Sequence, residues 1–426
     1  MMKQTRDVSG PTLVFANFAS DLAVGLEASE VLDHWAKQAP RKMWLLRPGD
    51  VLLTPVPLSD AFQRYAAGLL DMPMEAAAVV AVPSLPGVCM AEAVSRAGLM
   101  EQVRELVRRR PGISLLPTAL DSSSVAFARD LGVPVSPYGM TGPSQQALSI
   151  TSLLNTKSGF RDVAATLGIR LPAGSICHHA DLGPLVEHMV RDHGQVVLKP
   201  DRSAGGHGLM FLSAAQPQLP EAAPGLDGMW VVEERLDVAH SVSIQLCTTP
   251  RGTTAVYSGE MRTRDGSFTG YEAPLRGRAG TAAGELEHWG TKIGDYLARH
   301  GYAGPFSLDA VVTQDGTLFA NESNVRRTAT TTPHAMVTRL ARTAGVDAPA
   351  WLLASRGSAK AHTFAQAVQR LEDCELAWTA ERGEGVVFYA DGPADGRSWR
   401  YAVISTSSDR LATLERRLAQ TMTFEP

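Results

Sequence analysis

The chain has 426 residues, of which 44% are hydrophobic and 20% charged, with a formal net charge of -4. That length suits two or three domains of a globular enzyme, and the charge excludes a broad nucleic-acid-binding surface. Cys89, Cys177, Cys247 and Cys374 lie far apart with no C-x-x-C pair, which excludes a disulfide framework or zinc knuckle and points to a reduced, cytoplasmic setting.

In chain order, Thr12–Phe18, Lys42–Leu46, Val51–Val56 and Ala78–Val82 read as short apolar strands bounded by Pro, Gly or Asp. Ala91–Arg110 has helical spacing and stops at Pro111-Gly112. Ile113–Leu116 reads as another strand and Ser122–Leu131 as another helix. Such alternation predicts an open α/β sheet over residues 1–145, in a region with no chemical motif. The Gly-, Pro- and Ser-rich run 133–144 marks a boundary. A helical segment to about Leu167 and the strand Gln195–Lys199 follow, then the strand Met229–Glu233, giving a second unit over 146–235. The strand Ser241–Leu246, a hairpin at Phe306–Asn324 and a helix at Thr332–Thr343 make a third, over 236–354. The tail, 355–426, reads as a small α+β module: a helix near Ala361–Leu371, strands Gly385–Tyr389 and Trp399–Ile404, and a helix Ser408–Ala419. No signal-like segment opens the chain, and no run of about 18 apolar residues follows. A soluble protein with no membrane partner is expected.

Two stretches carry chemistry. The first is KPDRSAGGHGLMF, from Lys199 to Phe211. It places one of only seven lysines just before a glycine-rich loop. The order is the reverse of a P-loop, and the dinucleotide fingerprint does not fit either. The glycines still allow close backbone approach to phosphate oxygens, and successive N–H groups can form an anion nest.

The second is FSLDAVVTQDGTLFANESNVR, from Phe306 to Arg326. Asp315-Gly316 between two alternating runs signals a two-residue hairpin turn. With that turn, Asp309 faces Glu322 and Ser307 faces Asn324, all on one side of the sheet. Two facing carboxylates repel. A hard cation such as magnesium, bound by Asp309, Glu322 and the Asn324 amide, turns that repulsion into a site. Arg326 continues the same face and suits phosphate or carboxylate oxygens.

Taken in order, these pieces resemble the ATP-grasp superfamily from about Ser152 to His334. The run Asn155-Thr-Lys-Ser-Gly-Phe160, then Leu167-Gly-Ile-Arg-Leu-Pro172, is similar to the family's first phosphate-contacting lysine segment. Val197-Leu-Lys-Pro200 resembles its second. The resemblance implies that Lys157 and Lys199 contact nucleotide phosphate. It also implies that Ser203, Gly205, Gly206, His207 and Gly208 form a mobile flap over the phosphates, ordered when nucleotide binds. Val231–Leu236 resembles the hinge, where Glu233, Glu234 and Leu236 border adenine and the Glu233 and Leu236 backbones bond it. The sequence departs from the family at the ribose position, which holds His240 or Ser241 instead of glutamate. The implied fold is α/β with α+β elements: a Rossmann-like pre-ATP-grasp domain, two ATP-grasp subdomains and the C-terminal module.

The implied cofactors are ATP and Mg2+. The implied reaction joins a carboxylate to an amine through an acylphosphate, releasing ADP, with Arg326 and Lys199 stabilising charge. The long segment Met261–Ala279, rich in arginine, reads as an active-site cover, in which Arg262 contacts the acid substrate. Ala39–Asp50 and the tail resemble the pheganomycin-type peptide ligases. That likeness implies an acid substrate carrying a guanidino group, a peptide amine as acceptor and a place in natural-product biosynthesis. Another ATP-grasp ligase, making dipeptides or acid–thiol products, and a non-catalytic nucleotide-binding regulator stay open as alternatives. The oligomeric state is not legible, a homodimer being among those open.

Overall fold

The computed structural model describes residues 10–18, 20, 22, 36–203, 205–206, 208–215, 219, 228–264 and 266–425. The first unit contains β1 (Thr12–Phe15), a 3-10 helix (Ala39–Leu45), β2 (Val51–Thr54), α1 (Asp60–Leu69), β3 (Ala78–Ala81), α2 (Met90–Arg96), α3 (Met100–Arg108), β4 (Ser114–Pro117) and α4 (Ser122–Leu131). Its strands form a parallel four-stranded sheet in the order β3-β2-β1-β4. β1, β2 and β4 are buried throughout, as expected for parallel strands covered on both faces.

Two sequence expectations fail here. The expected strand Lys42–Leu46 lies in the 3-10 helix, which starts with Pro40 near its N-terminus and buries Arg41 through Trp44 in succession. Burial on all sides hides any period, so an apolar run cannot be told from a strand by pattern. The expected helix Ala91–Arg110 is two helices, because Gly98 at φ +70° ends the first.

The second unit holds α5 (Gln145–Leu154), α6 (Lys157–Thr166), β5 (Gly174–His178), α7 (Leu182–His193), β6 (Gln195–Pro200), β7 (Met210–Ser213) and β8 (Met229–Glu234). Its antiparallel sheet runs β5-β8-β6-β7. α7 covers it, packing Leu182, Val186 and Val190 on Val196, Leu198 and Val232.

The remaining elements are β9 (Val238–Thr249), β10 (Gly252–Arg264), β11 (Ser267–Ala273), α8 (Gly277–Gly280), α9 (Ala283–Arg299), β12 (Gly304–Thr313), β13 (Leu318–Asn324), α10 (Thr331–Thr343), β14 (Ala350–Gly357), α11 (Phe364–Asp373), β15 (Gly385–Phe388), β16 (Ser398–Ser405) and α12 (Ser408–Thr421). All their strands join one eight-stranded antiparallel sheet, β13-β12-β9-β10-β11-β14-β16-β15. The expected cover loop at 261–279 is therefore a correction. It is mostly the β10–β11 hairpin, in which Met261 pairs with Tyr271 and Arg262 with Gly270. The boundary expected at 354/355 falls inside β14, and the tail's strands extend the central sheet instead of standing apart from it.

The β12–β13 hairpin also differs at its tip. Thr313 N donates to Thr317 O at 2.9 Å and Gly316, at φ +88°, donates to Thr313 O at 2.9 Å, so the turn holds three residues and not two. That turn pairs Val312 with Leu318, one residue out of the expected register. A bulge at Asn321, between the Ala310–Ala320 and Asp309–Glu322 pairs, restores it. Asp309 consequently faces Glu322 and Ser307 faces Asn324, as expected. Among the described residues, no helix is long and apolar enough to cross a membrane.

Candidate functional site

α6, β6, β8, β9 and the β12–β13 hairpin meet at the site. Thr156 caps α6 by accepting from Gly159 N at 3.1 Å, which places Lys157 on the helix's first turn. Asp201, just past β6, accepts from Ser158 N at 2.8 Å and its carbonyl accepts from Lys157 N at 3.0 Å. A carboxylate at a helix N-terminus suits the local dipole. Lys157 Nζ then reaches Ser203 O at 3.1 Å, Ser203 Oγ at 2.9 Å and Glu322 Oε2 at 3.2 Å. One lysine thus ties the glycine-rich loop to the hairpin.

Lys199, near the end of β6, lies 2.5 Å from Glu233 Oε2 on β8 and donates to Asn321 Oδ1 at 2.5 Å. Arg161 of α6 holds the other Glu233 oxygen at 2.7 Å. On the hairpin, Asn324 Nδ2 donates to Asp309 Oδ2 at 3.0 Å, and Ser243 of β9 donates to Asp309 Oδ1 at 2.6 Å. Arg326 donates to Asn324 Oδ1 at 2.5 Å and to Asn155 Oδ1. Asn155 also receives Val325 N at 3.1 Å. Lys157 thus meets Glu322, Arg326 meets Asn324, and Lys199 meets Glu233 and Asn321, the residue before Glu322.

The electrostatics separate the two facing carboxyls. Burial, then the nearby Glu322 charge, pushes Asp309 up to about 7. Burial also raises Glu322, but Lys157, Arg326 and Lys199 outweigh it and hold that carboxyl below its ordinary value. Burial lowers the Arg326 guanidinium against the pull of both acids.

Among the described residues, no three His, Cys, Asp or Glu side chains stand together as a metal cluster. Asp309 and Glu322 still fit a hard cation that completes its shell with water and phosphate oxygens. The Ser307 hydroxyl on the same face is buried without a partner, and Asp309 is held up by burial and by the facing Glu322 charge, both of which a cation would offset. For the Asn324 amide oxygen to join them, the amide must turn over, exchanging its Asp309 and Arg326 partners.

The flap residues Ser203, Gly205, Gly206 and Gly208 are described, whereas His207 lies outside the described residues. Gly206, at φ +84°, is so close to the β10–β11 turn that a Cβ would stand 2.2 Å from Gly266 O. Glu233 lies inside the sheet between Gly174 and Val197. What it offers the site is its side chain, a correction to its expected role as a backbone hinge. Leu236, just beyond β8, has backbone N–H and C=O groups with no protein partner among the described residues, the free edge a planar base needs. Glu234 turns away, accepting from Ala173 N at 2.8 Å. His240 Nδ1 lies 2.8 Å from Glu260 Oε1 on the adjacent strand. Arg262 is not drawn into the network: it holds Glu415 of α12 at 2.7 Å and Glu272 at 3.0 Å.

Reasoning from sequence missed Asn155, Arg161, Ser243 and Asn321, as well as the Glu233 side chain. Asn155 and Arg161 flank the Lys157 segment and carried a positional hint. Ser243 and Asn321 had none, since each depends on strand pairing and on the bulge.

With this geometry in view, residues 39–133 match the model of the Pre ATP-grasp domain, and residues 366–418 match that of the PGM1 C-terminal domain. Among solved structures, the chain is similar to N5-carboxyaminoimidazole ribonucleotide synthetase from Thermus thermophilus, at 15% identity and TM-score 0.59 over 97% of this chain and 99% of that one. It is similar to carboxyaminoimidazole ribonucleotide synthase from Aspergillus clavatus complexed with ATP, at 12% identity and TM-score 0.59 over 97% and 98%. A biotin carboxylase from Campylobacter jejuni in a β,γ-ATP complex matches at 11% identity and TM-score 0.59 over 98% and 92%. The fold is the ATP-grasp fold. No curated protein matches. At these identities the likeness speaks for architecture, and the chemistry rests on the residues above.

Proposed function

We propose that this ATP-grasp protein is an ADP-forming ligase that joins a substrate carboxylate to an amine, using magnesium ATP. The observation that carries the proposal is three cations gathered around the facing Asp309–Glu322 pair: Lys157 on Glu322 itself, and Lys199 and Arg326 on the neighbouring Asn321 and Asn324, where the charge of all three lowers Glu322. Asp309, Glu322 and Asn324 would hold magnesium, whose contribution is to neutralise phosphate charge. Lys157 and Lys199 would hold phosphate oxygens, each released from the acid that now pairs with it. The flap amides would close over those oxygens, and the Leu236 backbone would border the base. Bringing a carboxylate to a polyphosphate sets like charges together, so the residues act by positioning and by positive charge. The carboxylate oxygen forms a bond to the γ-phosphorus as the bond to the β-phosphate oxygen breaks, and ADP leaves. The amine nitrogen then bonds to the acyl carbon, phosphate leaves and the amine gives up a proton.

The finer reading is a peptide ligase of the pheganomycin type, joining an acid with a guanidino group to a peptide amine in natural-product biosynthesis. The match of residues 366–418 to the PGM1 C-terminal domain supports it. A reduced cytoplasm suits its four free cysteines.

The test is incubation with magnesium ATP and mixtures of acids with peptides, single amino acids or thiols. The expected result is ADP together with a product of mass acid plus peptide minus water, reduced on the order of 100-fold or more in Glu322→Gln. AMP as the nucleotide product, or ATP hydrolysis indifferent to every acid, would sink the proposal. A product with thiols or single amino acids alone would sink only the peptide reading.

A further inference from the structure

Apart from the nucleotide cluster, the 3-10 helix Ala39–Leu45 buries two adjacent cations. Arg41 is 4% exposed and Lys42 only 1%. Arg41 Nη1 donates to Ala329 O at 3.1 Å, while its Nε and Nη2 are buried without a partner. Lys42 Nζ has the Thr332 hydroxyl, at 3.2 Å. Both cations stand over the Phe18 ring, 5.1 and 5.0 Å from its centroid. A ring face attracts cations but does not neutralise them. Among the described residues, neither cation has a carboxylate in ion-pair contact.

What these cations meet is again positive. α10 begins at Thr331, and its N-cap, Thr330, makes no side-chain cap. The amides of Thr331 and Thr332 have no protein acceptor among the described residues, and Pro333 has no N–H. An uncapped helix N-terminus carries partial positive charge and free donors. Phe18 lies just past β1, so this meeting point is at the carboxyl end of the parallel sheet, where open α/β sheets take ligands. Burial, opposed by Tyr389 and aided by the Arg400 charge, lowers Arg41 to about 10, and burial with the charges of Arg41 and Arg327 lowers Lys42 well below an ordinary lysine. Desolvated cations and donors without acceptors are costly. A single oxyanion would answer the cations, the two guanidinium donors and the helix amides together.

We propose that Arg41, Lys42 and the first amides of α10 form an oxyanion subsite for a carboxylate or phosphate group. It is separate from the Lys157–Lys199–Glu322 cluster, though Arg326 and Ala329 lie on the same short connection between them. The anion's assignment to a substrate rests on the ligase reading. Under that reading, the pre-ATP-grasp domain takes part in substrate choice by holding an acidic group, and a guanidino group belongs elsewhere.

The test is calorimetric titration of the full chain, without nucleotide, with acetate and with inorganic phosphate as probes. Wild type is expected to bind one or both, and Arg41→Met and Lys42→Met to weaken binding about tenfold or more. Arg41→Lys, which keeps the charge, guards against a variant that fails to fold and is expected to weaken binding less than Arg41→Met. Preference for phosphate over acetate would identify a phosphorylated substrate, and the reverse a carboxylate. Undetectable binding of both anions to wild type, or equal affinity in all variants, overturns the subsite. Anion binding that survives while every acid–amine mixture fails to turn over would instead remove the ligase reading and leave the subsite standing.

Discussion

Asp309 and Glu322 face each other across the β12–β13 pair, yet their surroundings drive them apart in acidity. Lys157 reaches Glu322 and keeps it ionised, whereas Asp309 has only hydroxyl and amide donors and rises to about 7. A carboxyl raised in the folded state binds more protons there than in the unfolded chain. Its contribution is therefore largest below the unfolded value near 4 and is lost as pH rises through the folded value near 7. Metal-free protein should lose stability across that window, and Asp309→Asn should not. The variant's advantage at pH 8 is expected to be on the order of 2 kcal/mol. Thermal melts in chelator from pH 4 to 8 measure it, and parallel curves for the two proteins would count against the raised carboxyl. Magnesium should erase the difference in wild type, since the ion supplies the counter-charge that Asp309 lacks.

At the scale of elements, the glycine-rich loop is held by contact as well as by charge. At Gly206 a neighbour's backbone requires the missing Cβ: the β10–β11 turn at Gly266. Gly206→Ala must move the loop off that hairpin and also strain a left-handed backbone, at a cost of roughly 1–2 kcal/mol. Expected is about a tenfold weaker affinity for a fluorescent ATP analogue with a nearly unchanged Tm. Gly87→Ala, also left-handed (φ +69°) but with open space around it, should leave nucleotide affinity alone. Equal nucleotide affinity in both variants would remove docking from the flap's role. The same elements show what sequence could reveal. The facing of Asp309 and Glu322 was legible because alternation is preserved at both ends of the hairpin. It was reached through a turn of the wrong length, and the Asn321 bulge cancels that error. Lys157 and Lys199 were legible through the resemblance of their segments to the ATP-grasp superfamily, with the scarcity of lysine drawing notice to them. β10 and β11 were not, because Arg262, Arg264 and several glycines interrupt their apolar pattern. Arg262 was misassigned for the same reason: its partner Glu415 is distant in sequence and meets it only when the tail joins the sheet.

For the whole molecule, that joining makes the pre-ATP-grasp sheet the hub. One face of its strands contributes Val14, Leu52 and Leu116 to a core shared with Trp351, Phe388, Tyr401 and Leu414 of the C-terminal part. The other contributes Leu13, Phe15 and Leu53 to a core shared with β9, β12 and α9. Among the described residues, the β5-β8-β6-β7 sheet, with α7, keeps a small core of its own. The architecture thus favours one cooperative body carrying a less anchored nucleotide-side unit. Trp44 is a sharp probe of this coupling. It is 1% exposed, stacks edge-on with Phe62 and Tyr65, and donates its indole N–H to Tyr389 O at 2.8 Å. Trp44→Ala should cost about 3–5 kcal/mol through lost burial and the cavity left behind. It should also leave the Tyr389 carbonyl without its donor at the seam between N-terminal unit and tail. Hydrogen exchange should therefore quicken in β15 and β16 as much as in β1 and β2, while the β5–β8 sheet exchanges at its wild-type rate. Faster exchange confined to the first 145 residues would mean that the tail is an independent module, whatever its strand pairing.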